Sequence, residues 1–138
     1  MKFNAKKVVI AGLVGTLAMT MLMLLGPMMG IPKMDMGNML GKKNPFMELP
    51  YTMGWIMHFI IGIVLTGIYA GYIGNILPSS GWKKGLIFGI IPFFVAQLMV
   101  MPMMGMGVFT GGNILMIMGS LMGHLVFGGV TGLVYGEG

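Results

Sequence analysis

The sequence contains no cysteine and no arginine, and only three of its 138 residues are acidic. Without cysteine, disulfides, thiolate metal sites, iron–sulfur clusters and cysteine nucleophiles are excluded. Charged residues make up 8% of the chain, whereas a soluble domain needs roughly a quarter of its residues charged. Because 57% of the residues are hydrophobic and the mean hydropathy is +0.92, we predict an integral membrane protein with the lipid bilayer as its partner.

The eight lysines stand in groups that flank apolar runs, which is typical of membrane topology. This arrangement explains the net charge of +5 better than nucleic acid does, so no nucleic-acid partner is predicted. An enzyme is not expected either. The chain has three serines and a single aspartate, too few for a hydrolytic triad, and it has no Gly-rich phosphate motif with its lysine.

Apolar runs predict four membrane-spanning helices, because a bilayer core about 30 Å thick requires about 20 apolar residues. The predicted helices cover about residues 7–30, 50–77, 83–104 and 112–136, the last two joined by a Gly-rich turn. We expect an all-α four-helix bundle that forms a single domain over residues 1–138. The lysine count on each side favours cytoplasmic N and C termini in a prokaryotic cytoplasmic membrane.

The second and fourth spans share a pattern that indicates an internal repeat. His58 and His124 each stand eleven residues before a tyrosine and four residues before a glycine. The first and third spans both end in Pro-Met-Met-Gly. We predict two helix pairs of the same, parallel topology, about residues 1–77 and 78–138, related by an axis along the membrane normal.

The two histidines are the main functional candidates, because an ionisable side chain deep in a span is costly unless it has a partner. Small residues share the helix face with each imidazole, four residues before and after it: Gly54, Gly62, Ser120 and Gly128. The leading hypothesis is a haem b held by His58 and His124, in a redox or accessory subunit of a membrane complex. The alternative is close helix packing, with each histidine hydrogen-bonded to a neighbour.

The chain contains 20 methionines, and all except Met1 lie between Met19 and Met57 or between Met99 and Met122. Four spans place these two clusters in one half of the membrane. Thioether sulfur is a soft ligand suited to Cu(I), so a second hypothesis is Cu(I) binding or transport. The candidate metal ligands are His58, His124, Met34, Met36, Met101, Met103, Met104 and Met106. The third hypothesis is a structural or assembly role, with methionine as a flexible filler at contacts with other membrane subunits or a second copy.

Three motifs resemble those of a family of small prokaryotic four-span membrane proteins, a domain of unknown function. The motifs are Gly54-Trp55-x-x-His58-Phe59-x-x-Gly62, Met101-Pro102-Met103-x-Gly105-x-Gly107 and His124-Leu125-x-Phe127-Gly128-x-x-x-Gly132-x-x-Tyr135-Gly136. The resemblance covers nearly the whole chain and implies an integral four-helix membrane protein with histidines on the second and fourth spans. It implies no activity, ligand or partner, and the loop from Ile31 to Leu49 matches no pattern with a known role.

Overall fold

A computed structural model describes residues 1–137, which are helical and contain no strand. Four helices are long and apolar enough to cross a membrane. They are α1, Ala5–Met29; α2, Tyr51–Ile76; α3, Gly81–Met103; and α4, Ile114–Tyr135. The four-span, all-α prediction is confirmed, and each boundary lies within two residues of its predicted position.

Local sequence explains where the helices begin. Asn4 Oδ1 accepts a hydrogen bond from the Lys7 amide at 3.0 Å, and Asn113 Oδ1 accepts one from the Met116 amide at 3.3 Å. Both asparagines are N-caps, which satisfy amides that have no partner inside the helix. Pro50 precedes α2 in an extended conformation, and its ring excludes a further helical turn before it.

Helix α1 packs along both α2 and α4, and α3 packs along α4. Glycine lets the α3 and α4 backbones touch, since a Cβ added to Gly128 would collide with the Gly85 carbonyl oxygen. A Cβ added to Gly12 of α1 would lie 2.7 Å from the Cα of Ile63 in α2. The pairs α1–α2 and α3–α4 therefore both meet at glycines. The internal repeat stays a prediction.

One end of the bundle, here called the terminus end, contains residues 1–11, 69–88 and 127–137. Four aromatic side chains fill it, each at most 2% exposed: Tyr69, Phe88, Phe127 and Tyr135. The ring centroids of Tyr69 and Phe88 are 4.9 Å apart. The Lys84 ammonium and the Glu137 carboxylate form an ion pair at 3.0 Å across this end.

At the opposite end, the loop end, residues 33–49 fold onto the start of α2 and are called the cap below. Its central element is a π-helical turn, Gly37–Lys42. A Cβ added to Gly54 of α2 would lie 2.5 Å from the Gly37 carbonyl oxygen and 2.7 Å from the Gly41 amide nitrogen. The uninterpreted Ile31–Leu49 loop is therefore mostly an ordered element that packs on α2.

Helix α3 is irregular where it approaches the loop end. Pro92 lies inside it, and the segment Ala96–Val100 is π-helical. Gln97 in this segment is fully buried, and its Oε1 accepts a hydrogen bond from Thr110 Oγ1 at 2.9 Å. Thr110 belongs to a left-handed turn in the predicted Gly-rich connection, with φ values of 48° at Phe109 and 53° at Thr110. The buried bond thus ties α3 to its connection with α4.

Candidate functional site

A cavity of about 200 Å³ lies in the loop-end half of the bundle. All four helices and the cap contribute to its wall. Seven of its lining residues are methionines: Met19, Met23, Met34, Met36, Met39, Met101 and Met104. The polar side chains of the wall are those of Thr16, His58, Ser120 and His124, and no charged residue among residues 1–137 lines it.

His124 presents one free nitrogen. Its Nδ1 lies 2.7 Å from the Ser120 carbonyl oxygen, which can only accept a hydrogen bond. Nδ1 therefore carries the proton, and Nε2 keeps its lone pair. A neutral imidazole whose Nδ1–H is held by a backbone carbonyl is the usual arrangement of a metal-binding histidine.

His58 is buried in a wall without a charged partner among residues 1–137, which favours its neutral form, and a similar argument gives its tautomer. Its Nε2 lies 3.2 Å from Thr20 Oγ1, which also lies 2.7 Å from the Thr16 carbonyl oxygen. The Thr20 hydroxyl has one proton and donates it to the carbonyl, so His58 Nε2 must donate to the hydroxyl oxygen. The lone pair of His58 is then on Nδ1. Two uncharged imidazoles, each with one free lone pair, line the same cavity.

The cavity brings together most of the residues singled out in the sequence. His58, His124, Gly62, Ser120, Met34, Met36, Met101 and Met104 line it. Gly54 instead faces the cap, and Gly128 faces Gly85 and Gly89 of α3. Met103 is 49% exposed, and both it and Met106 lie outside the lining. The small residues beside each imidazole therefore divide between the cavity and helix packing.

Three lining methionines, Met19, Met23 and Met39, were not singled out in the sequence. All three lie within the first methionine cluster, and spacing alone does not distinguish them from its other members. Burial does distinguish two of the seven. Met36 is 9% exposed and Met101 is 4% exposed, and they are the buried methionines of residues 1–137.

The fold defines the class of the protein: a bundle of four apolar helices with the length and composition of membrane spans. Within that class, the chain belongs to a family of unknown function (DUF6789), whose model matches residues 4–137. This assignment agrees with the resemblance carried by the three motifs. No curated protein and no solved structure matches the chain significantly.

Proposed function

We propose that this is a non-enzymatic membrane protein that binds Cu(I) in the methionine- and histidine-lined cavity. The observation that supports the proposal is the chemistry of the wall: seven thioethers and two neutral imidazoles, without a carboxylate. Soft thioether ligands favour Cu(I), whereas Mg²⁺ and Ca²⁺ require oxygen ligands. A monovalent ion also adds the smallest charge to a cavity that holds no counter-charge.

The lysines support an orientation for the site. Five lie at the terminus end of the bundle, and the other three, Lys33, Lys42 and Lys43, belong to the cap. An excess of lysine is typical of the cytoplasmic side. We therefore propose that both termini are cytoplasmic in a prokaryotic membrane and that the cap and cavity face the opposite side, where an incoming ion arrives.

A direct test is an anaerobic titration of the detergent-purified full chain with Cu(I) presented by a competing chelator. We expect saturable, equimolar uptake by the wild type and weaker uptake by His124→Leu. Met28→Leu is the control, because Met28 is 83% exposed and lies outside the cavity. Uptake by the wild type that is no stronger than by a His58→Leu/His124→Leu variant would contradict the proposal and leave a structural or assembly role.

Haem b is the second candidate, favoured by one observation: imidazoles from two helices line one cavity beside the small residues Gly62 and Ser120. Two features count against it. The cavity of about 200 Å³ is below the roughly 300 Å³ at which pockets for larger organic ligands begin. Its wall also has no lysine to pair with the haem propionates. Purification from a haem-sufficient host without a Soret band or a pyridine haemochrome would remove this candidate.

A further inference from the structure

The cavity methionines differ in how firmly they are held. Met36 and Met101 are buried, whereas the other five are partly exposed. A thioether side chain has three rotatable bonds, and fixing it on binding costs conformational entropy. Because burial has already restricted Met36 and Met101, they pay less of this cost when they bind an ion.

We propose that the sulfurs of Met36 and Met101, together with Nε2 of His124, form the primary metal-binding set, and that Asp35 is a positioning residue for Met36. This inference rests on the proposed Cu(I) function and names the ligands of that site. Its three donors are neutral and come from the cap, α3 and α4. The cap is therefore part of the site rather than a connection between two spans.

Met36 is fixed from both sides along the chain. Before it, the Asp35 carboxylate accepts hydrogen bonds from the Asn38 amide, the Asn38 side chain and the Tyr51 hydroxyl, at 3.3, 3.0 and 3.2 Å. After it, Gly37 is enclosed, since a Cβ added there would lie 2.5 Å from the Tyr51 ring and 2.7 Å from Trp55 Nε1. These contacts tie the Met36 backbone to the first turns of α2.

Met101 directly follows the π-helical segment Ala96–Val100. Such segments occur frequently at functional sites, because they change the direction in which the following side chains point. The carbonyl oxygen of Met101 also accepts a hydrogen bond from the Met106 amide at 2.9 Å, which holds the turn beyond it. Met101 thus has a fixed backbone as well as a buried side chain.

His124 is the better third donor of the two histidines. Its free atom is Nε2, the ring nitrogen farther from its own backbone, and its Nδ1 is anchored within α4 by the Ser120 carbonyl. In His58 the outer nitrogen is already used by Thr20. His58 therefore contributes polarity to the wall, while His124 contributes the lone pair.

Chelator competition with Cu(I) on the detergent-purified full chain tests the ligand set. Met36→Leu and Met101→Leu are expected to lower the affinity by at least about 100-fold, because losing a ligand should cost more than the roughly 10- to 100-fold typical of a residue that only supports a ligand. Met23→Leu is the matched control, because Met23 lines the same cavity but is partly exposed, and we expect a change below about 3-fold. Leucine conserves volume, so all three variants should fold. Equal losses in Met36→Leu and Met23→Leu would overturn the assignment.

The positioning role of Asp35 is tested separately, by affinity and by X-ray absorption. Asp35→Asn should lower Cu(I) affinity by about 10-fold, as expected for a residue outside the ligand set. X-ray absorption should show two sulfur neighbours and one nitrogen neighbour in the wild type, one fewer sulfur in Met36→Leu, and a longer, more disordered second sulfur contact in Asp35→Asn. Unchanged sulfur coordination in Asp35→Asn would refute that role.

Failure of this ligand set is distinguishable from failure of the proposed function. If the wild type binds neither Cu(I) nor its redox-inert analogue Ag(I), the proposed function is wrong. If it binds them with full affinity in the Met36→Leu/Met101→Leu double variant, the function stands and this ligand set is wrong.

Discussion

The two ends of the bundle bury their side chains in opposite ways. At the terminus end, rigid aromatic rings fill the space between helices, and Met1 is the one methionine among its residues. At the loop end, seven methionines border a cavity of about 200 Å³, and five of them are partly exposed. Rigid rings leave little room for a ligand, whereas flexible side chains around a space can rearrange to accept one. The terminus end therefore holds the helices together, and the loop end is available for binding.

Polar groups follow the same division. At the terminus end, Tyr135 donates its hydroxyl proton to the Lys2 carbonyl at 2.6 Å and accepts from the Asn4 amide at 3.1 Å. These bonds join α4 to the segment before α1. At the loop end, His58 and His124 line the cavity, and each keeps one ring nitrogen with a free lone pair. The Tyr135 bonds thus stabilise the terminus end, and the free lone pairs of the histidines give the loop end its chemistry.

The largest expected effect is on the glycine contact that joins α3 to α4. Gly128→Ala should lower the free energy of unfolding by about 3 kcal/mol, because the new methyl group meets backbone atoms that cannot move aside. Gly67→Ala is the control, since its Cβ would lie 3.7 Å from Val8, an ordinary contact. Thermal unfolding in detergent, followed by circular dichroism, measures both. Equal stability of the two variants would mean that this contact is not essential.

The buried bond between Gln97 and Thr110 should have the next largest effect. Thr110→Ala removes the partner of a fully buried amide oxygen, at a cost of about 2 kcal/mol. Adding Gln97→Leu should restore part of the loss, because it removes the buried amide group that Thr110→Ala leaves without a partner. Unfolding of the single and double variants forms a cycle that measures the coupling. A purely additive result would contradict this role.

Filling the cavity should separate stability from binding. Ala96→Leu adds three carbon atoms to the cavity wall and is expected to stabilise the fold by about 1 kcal/mol while abolishing Cu(I) uptake. Val64→Leu is the control. Val64 lies on α2 and is 55% exposed, so this change should affect neither stability nor Cu(I) uptake. If Ala96→Leu retains full uptake, the ion is bound outside the cavity.

The smallest effect is expected at the ion pair of the terminus end, where the Glu137 side chain is 52% exposed. The Gly81 amide and then the Lys84 ammonium hold the pKa of Glu137 below its ordinary value of 4.5. A lowered carboxyl pKa stabilises the fold above that value and loses its contribution as the pH falls through the lowered pKa. The melting temperature of Glu137→Gln should therefore depend less on pH below 4.5 than that of the wild type. Parallel pH profiles would show that this pair contributes nothing to stability.

The spans could be predicted because hydrophobicity and length determine them locally. The order of the cap could not be predicted, because it depends on a tertiary contact: Gly37 and Gly41 pack against Gly54 of α2. Isolated from α2, the same residues have the composition of an ordinary loop. The Gly-rich connection before α4 could be predicted, since its residues favour turns, but its bond to Gln97 could not.

For the site, the sequence identified the histidines and the type of their neighbours. It could not show which of the small residues beside each histidine lines the cavity, because residues four positions before and after a histidine share its helix face equally. Gly62 lines the cavity and Gly54 does not, because the cap packs on Gly54. Likewise, the burial that separates Met36 and Met101 from the other methionines is a property of the folded chain.

The π-helical segment Ala96–Val100 has a consequence for how such a site arises. A π-turn closes its hydrogen bond one residue later than an α-turn, so it holds an additional residue. Each residue turns an α-helix by about 100°, and everything beyond the additional residue is rotated by that amount. Removing it would swing Met101 off the cavity wall without disturbing Gly85 and Gly89, about two to three turns earlier. A single inserted codon is therefore enough to convert a plain membrane helix into one that directs a thioether inward.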